Sequence, residues 1–304
     1  MRVVVALGGN ALLERGEPPD AVIQRRHVRQ AAAALAPLTA GHQLVLCHGN
    51  GPQVGVLALE SQSDLSLSRP YPLDVLVAQT QGMIGYWLVQ ELHNAGIVQP
   101  AACVMSQAVV DPSDPAFGHP AKFIGAGYGE DEARALAARL GWTIAADGPR
   151  WRRVVASPRP LGLVEIETIR SLVDAGVLVV CGGGGGVPVA RSQAGELAGV
   201  EAVVDKDLTA AELAITLKAD RLLVLTDVPA VIDGYGTPAA RQIRAIGADA
   251  MSAMTFPAGS MGPKVEACLR FVKASGQPAA IGALTDAAAI LAGRAGTTIR
   301  KGAS

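Results

Sequence analysis

Three lysines stand in settings that an ordinary surface lysine does not need. Lys206 lies between Asp205 and Asp207 in VDKDLTAAELA (residues 204–214), at the start of a predicted helix. Lys264 falls in the first turn of a second predicted helix, within PAGSMGPKVEA (residues 257–267). A cation there opposes the helix dipole, at a cost of a few tenths to ~1 kcal/mol if nothing compensates. A bound polyphosphate would compensate. Lys122 sits in a stretch rich in Pro and Gly. The chain has 20 arginines against 6 lysines, so arginine carries most of the solvated positive charge. Where lysine is kept, a compact ammonium suits better than a planar fork. The functional reading puts Lys206 on phosphate, with Asp207 orienting the ammonium groups. The structural alternative is N-capping by Asp207, with Thr209 and Glu212 as a capping box. That alternative does not need Lys206.

Glycine supplies the second chemical feature. CGGGGGVPV (residues 181–189) holds five consecutive glycines after an apolar run. Two more glycine turns follow apolar runs: Gly8-Gly9-Asn10 and Gly49-Asn50-Gly51. Glycine tolerates positive φ and lets backbone lie against a ligand. Such turns can offer bare N–H groups to an anion, and Asn10 opens a helix-like stretch whose first amides could do the same. The alternative for each is a plain turn. Gly49, Gly51 and Gly55 approach a dinucleotide fingerprint, but the acidic residue expected at the end of a following strand is missing. His48 reads first as a packing residue. LTDVPAVIDGYG (residues 225–236) could wall a nucleotide pocket, or Asp227 and Tyr235 could be turn residues. GSMGPK is not a P-loop.

The elements that would position these groups alternate. Strands are predicted over residues 2–7, 43–47, 101–105, 177–181, 221–225 and 279–281. Helices are predicted over 21–38, 80–94, 131–140, 165–175, 207–219, 264–275 and 287–293. Continuous apolar strands imply burial on both faces, hence a mainly parallel sheet between helix layers. Ligands sit at the carboxyl ends of such strands, and all three glycine turns fall there. Residues 111–160 break the rhythm and read as a lid, binding loop or small subdomain. Gly129 and the acidic residues after it would start its helix, and residues 151–155 would form a hairpin strand.

Composition sets bounds. The chain has 304 residues, 50% hydrophobic, with net charge −1. It offers no electrostatic footprint for nucleic acid or an anionic membrane. No apolar run is long enough to span a bilayer. The 4 cysteines are far apart in apolar runs, which argues against a disulfide framework or zinc site and for a reducing, cytoplasmic compartment.

Six motifs, taken in order, resemble the carbamate kinases of the amino-acid kinase superfamily: VALGGNAL, HGNGPQVG, PLDVLVAQTQGMIGYWL (residues 72–88), CGGGGGVPV, GVEAVVDKDLTAAELA and GSMGPK. The resemblance covers nearly the whole chain. It implies an αβα sandwich around an open, mainly parallel eight-stranded sheet, as a single domain over 1–304. An acceptor lobe would span 1–176 with a lid inserted at 111–160, and a nucleotide lobe 177–304. It also implies a homodimer.

The roles it implies are residue by residue. Gly8, Gly9, Asn10, Gly49, Asn50 and Gly51 would hold carbamate and the transferring phosphoryl group. Lys122 would reach in from the insertion. Lys206 and Lys264 would contact ATP phosphates, with Asp207 orienting them. Gly183, Gly184, Asp205, Thr226, Asp227, Val228, Tyr235, Gly259, Ser260, Met261 and Gly262 would contact the nucleotide. No protein metal site is implied; Mg²⁺ would come with ATP or ADP. The chain departs from the family in KFIGAGY (residues 122–128), where a second proline and a bulkier Gly-Pro-Phe-Tyr are usual, and at Pro229, where an acidic residue is common. Leu7 stands where many superfamily members have lysine, an absence that the carbamate kinases share.

The implied reaction is ATP + carbamate to ADP + carbamoyl phosphate. In-line positioning and cancellation of charge on the oxygens suffice for phosphoryl transfer. Carbamate is already anionic and needs no general base. ATP synthesis in nitrogen-compound catabolism, arginine metabolism included, would be the favoured use. The alternatives are a sibling kinase for another carboxylate, phosphonate or phosphate, a nucleotide-binding protein without turnover, and a dinucleotide oxidoreductase.

Overall fold

Val3, Val4, Val5, Ala6 and Leu7 have no exposed surface at all, so the first strand must lie inside a sheet covered on both sides. A computed structural model, describing residues 1–9, 12–14, 16–256 and 260–302, shows how. Asn10 and Gly259, both expected at the site, lie outside the described residues. The strand order is Ala245–Gly247, Thr297–Arg300, Ala279–Ala283, Arg221–Thr226, Arg2–Leu7, Gln43–His48, Leu178–Val180, Ala101–Cys103. Neighbours are parallel except Ala279–Ala283 with Thr297–Arg300, which are antiparallel.

Alternation along a strand sends successive side chains to opposite faces. Val4 and Ala6 accordingly pack into one core with Leu208, Leu213, Phe271 and Ile169. Val3, Val5 and Leu7 pack into another with Val28, Leu35, Leu88 and Ile290. The first core is roofed by helices Ile166–Asp174, Lys206–Thr216 and Met261–Ser275; the second by Ala21–Leu35, Leu73–Asn94 and Ala287–Leu291. These are the three layers expected from the continuous apolar strands.

Several boundaries differ from expectation, each for a local reason. Residues 51–63, read only as a glycine fingerprint, form the helix Gly51–Ser63 with Pro52 in its first turn, where proline's missing N–H is harmless. The next helix begins at Leu73, not residue 80, with Asp74 favouring its positive end. The short strands Ala245–Gly247 and Thr297–Arg300 had no apolar run to announce them. Leu178–Val180 sits between Gln43–His48 and Ala101–Cys103, so a division of the chain at residue 177 would cut through the sheet.

A second sheet has the order Leu197–Gly199, Val187–Arg191, Gln107–Val110, Pro160–Leu163. The inserted stretch leaves it after Val110 and rejoins at Pro160, which pairs with Val110. Between them lie an antiparallel sheet of Lys122–Tyr128, Arg150–Val155 and Thr143–Asp147, and the helix Glu130–Leu140.

Candidate active site

The site is assembled where the central parallel strands end. Gly8 follows Arg2–Leu7, and its amide donates to Leu225 O at 2.8 Å. Gly49 follows Gln43–His48, and its amide donates to Leu7 O at 3.1 Å. These two amides continue the sheet ladder and are not available to an anion, which corrects the role expected of them. What the two glycines provide is closeness. A methyl on Gly49 would lie 3.2 Å from Gly9 Cα and 3.4 Å from Lys206 Cδ, and one on Gly8 would lie 3.6 Å from Thr226 Oγ1. The acceptor turns thus meet Lys206 and the Thr226 segment without side chains between. Gly51 opens a helix, and first-turn amides have no partner within their own helix. Asn50 is buried and donates through Nδ2 to Thr80 Oγ1 at 2.8 Å. Thr80 lies thirty residues away, inside the motif of residues 72–88, where its residue type alone assigned it no role.

Three of the five glycine amides in the run bond within the protein. Gly182 donates to Ser106 Oγ at 3.0 Å, Gly185 to Gly182 O and Gly186 to Gly183 O, each at 3.0 Å. Positive φ at Gly182, Gly184, Gly185 and Gly186 folds the run on itself. Gly183 packs under His48 and Gly184 under Asn50, where added methyls would sit 2.3 Å from His48 Nε2 and 2.2 Å from Asn50 Nδ2. These two glycines therefore let the run lie directly against the turn at residues 49–51. His48 is buried, and burial holds its pKa down at about 4 despite a contact from Nδ1 to Gly49 O. It is neutral packing, as read first.

The charge lies on the helix Lys206–Thr216. Its N-cap is Asp205, whose Oδ1 accepts from Asp207 N at 2.9 Å. The cap is therefore one residue pair earlier than the capping alternative supposed, and this frees Asp207. Thr209 and Glu212 do not form a capping box: Thr209 Oγ1 donates to Gly185 O, and Glu212 pairs with Arg270. Asp207 bridges two ammonium groups, taking Lys206 Nζ on Oδ1 at 2.9 Å and Lys264 Nζ on Oδ2 at 3.0 Å. Lys122 reaches from the inserted sheet to Asp205 Oδ2. The compensation expected for Lys264 in its helix's first turn is thus present as a carboxylate.

Lys206 and Asp207 expose only 8% and 2%. Burial alone would raise the carboxyl of Asp207, but Lys206 and Lys264 hold it below its ordinary value. Burial would likewise raise Asp205, but Lys122 and Lys206 pull it well down. Burial lowers Lys206, helped by Lys264 and only partly offset by Asp207. Lys264 is also penalised by burial, yet Asp207 keeps it above the usual lysine value. Three ammonium groups against two carboxylates leave one net positive charge in a poorly hydrated place, which suits a transferring phosphoryl group.

The remaining expected residues lie on two further segments. Thr226 Oγ1 donates to Asp227 Oδ1 at 2.9 Å at the end of Arg221–Thr226. Asp227 is exposed, Val228 half-buried, and Tyr235 is 76% exposed. Ser260, Met261 and Gly262 lead into the helix that carries Lys264.

A sequence model described as the amino acid kinase family matches residues 1–283. The chain is 50% identical to the carbamate kinase of Rhizobium meliloti (strain 1021), over 98% of this chain and 93% of that one. It is 48% identical to the carbamate kinase of Escherichia coli (strain K12), over 98% of each. Among solved structures, carbamate kinase from Giardia lamblia bound to citric acid superposes with a TM-score of 0.94 at 40% identity, over 99% of this chain and 98% of that one. The same enzyme bound to AMP-PNP gives 0.89 at 41% identity, again over 99% and 98%. The chain belongs to the amino acid kinase family, in its carbamate kinase branch.

Proposed function

We propose that this protein is a phosphotransferase that moves a phosphoryl group reversibly between ATP and carbamate, giving ADP and carbamoyl phosphate. The observation that carries the reading is Asp207 holding Lys206 and Lys264 beside the contact between Gly9 and Gly49. Each ammonium has three donors and gives one to a carboxylate, so donors remain for phosphate oxygens. The Gly9 and Gly51 turns would seat carbamate and the group in flight. Lys206, Lys264 and Lys122 would cancel charge as it spreads over the equatorial oxygens. Carbamate attacks as an anion, so a neutral His48 is no handicap. The Thr226–Val228 segment and the Ser260–Gly262 turn would flank the nucleotide.

Among the described residues no group of three or more His, Cys, Asp or Glu gathers as a metal cage, and both site carboxylates already hold ammonium groups. Mg²⁺ would come with the nucleotide, where it would add to the charge cancellation that the ammonium groups supply.

We further assign the protein to the cytoplasm as a homodimer, serving ATP synthesis from the breakdown of nitrogen compounds such as arginine. Among the described residues no helix is long and apolar enough to cross a membrane. Light scattering coupled to gel filtration tests the dimer. The activity is tested by ATP formation from ADP and carbamoyl phosphate, with acetyl phosphate and acetylglutamyl phosphate as controls. Preference for either control would move the protein to a sibling acceptor.

A further inference from the structure

The inserted sheet touches the acceptor helix through two glycines. A methyl on Gly55 would stand 2.0 Å from Gly125 Cα and 2.3 Å from Gly125 N. No real side chain tolerates that approach, so the two backbones are in direct contact. One turn earlier, a methyl on Gly51 would lie 3.8 Å from Phe123 O. The strand Lys122–Tyr128 therefore runs along the glycine face of Gly51–Ser63. On either side Val54, Ala58, Ile124 and Val155 share one buried cluster.

The strand is shaped for this contact. Lys122, Phe123 and Ile124 pair with Val155, Val154 and Arg153, then the register slips before Tyr128 meets Trp151. Gly125 sits in that irregularity at φ 70°, a conformation that glycine adopts without strain. Arg152 holds it from the other side, donating Nη2 to Gly125 O at 2.9 Å while Nη1 pairs with Asp147 at 3.0 Å. Its guanidinium also lies 5.5 Å from the Phe123 ring centroid. Lys122, which reaches Asp205, is three residues upstream on the same strand, about 10 Å along it. Whatever moves Gly125 moves the base of Lys122.

We propose that the Gly55–Gly125 contact is the seat that sets the reach of Lys122 into the site, making Gly55 a positioning residue for phosphoryl transfer. The kinetic half of this rests on the function proposed above; the structural half does not. Gly55→Ala puts a methyl where the inserted strand now lies. Alanine favours helix over glycine, which offsets part of the strain, but a methyl 2.0 Å from Gly125 Cα forces backbone to shift, so the melting temperature should fall moderately. The inserted strand must lift, and Lys122 with it.

Two measurements decide. Hydrogen exchange of the ligand-free protein should show faster exchange at Lys122–Tyr128 in Gly55→Ala, with Lys122→Ala unchanged there. In the ADP plus carbamoyl phosphate assay, kcat of Gly55→Ala should fall roughly 10²-fold, the scale for a displacement of about 1 Å, with KM for ADP unchanged. Adding Gly55→Ala to Lys122→Ala should cost less than about a factor of two further, because both act through one group. Unaltered exchange in Gly55→Ala, or losses that multiply in the double variant, overturns the proposal. If Gly55→Ala is insoluble, Arg152→Gln removes the grip on Gly125 from the other side, and the same exchange criterion decides. If the wild type makes no ATP, the function fails while the exchange result still judges the seat.

Discussion

Two neighbouring parts of the molecule use opposite means to the same end. The run Gly182–Gly186 brings backbones together by having no side chains, and most of its amides bond inward. The Asp205–Asp207 segment does the reverse, burying three charged side chains against the half-buried Lys122 and Lys264 and leaving cations with donors to spare. Both lie at the carboxyl ends of strands. The glycine run is the more conspicuous in sequence, yet three of its five amides are taken up within the fold, while the charged segment keeps ammonium donors open. Where a glycine loop's amides go decides whether it can bind an anion; the glycine count does not.

The contrast can be broken at its strongest point by Asp207→Ala. Two buried ammonium groups would lose their shared counterion, a change of roughly 3–5 kcal/mol. Denaturant unfolding should report it, with turnover near background. Lys206→Ala and Lys264→Ala should each keep the fold and lower turnover by roughly 10²–10³, the scale for one transition-state donor. Near-wild-type rates in both would falsify their assigned roles. Gly184→Ala should behave oppositely. It places a methyl 2.2 Å from Asn50 Nδ2 at φ 63°, and a loss of about 1–3 kcal/mol is expected from such overpacking. Thermal unfolding should move, while KM for ADP stays.

The pH dependences sharpen the comparison further. Asp205 and Asp207 have lowered pKa values, so their stabilisation is full above the unfolded value of 3.8 and is lost as pH falls below it. Lys206 is lowered, so turnover should begin to fall at a pH below 10.5, and Lys206→Arg should push that limb upward in a pH–rate profile. The smallest effect concerns His48. Its folded value of about 4 lies below the unfolded 6.5, so it supports the fold fully above 6.5 and loses that support as pH falls toward 4. His48→Gln should flatten this part of the stability profile and leave the pH–rate curve unshifted between about 5 and 8.

The layered sheet was legible because Val3–Leu7 and Leu44–Cys47 are unbroken apolar runs, and such runs leave few alternatives to burial on both faces. Thr297–Arg300 was not legible: four residues with Thr297, Thr298 and Arg300 carry no such signal, and only pairing with Ala279–Ala283 on one side and Ala245–Gly247 on the other makes them a strand. Within the site, Lys206, Asp207 and Lys264 stood out because each sat in the wrong place for solvent. That Asp205 caps a helix and meets Lys122 follows only once the helix start is known. Thr80 and Thr209 lie within motifs, but their partners, like those of Arg152, are set by contacts between distant segments and follow only from the fold.

Val110 and Pro160 face one another in adjacent antiparallel strands. The appended sheet and helix therefore leave and re-enter the chain through a stalk two strands wide, and are fastened again where Gly125 meets Gly55 and Lys122 meets Asp205. The attachment is a tether with a latch: the covalent ends fix where the appendage stands, and the two distal contacts fix how far it leans over the charged cluster.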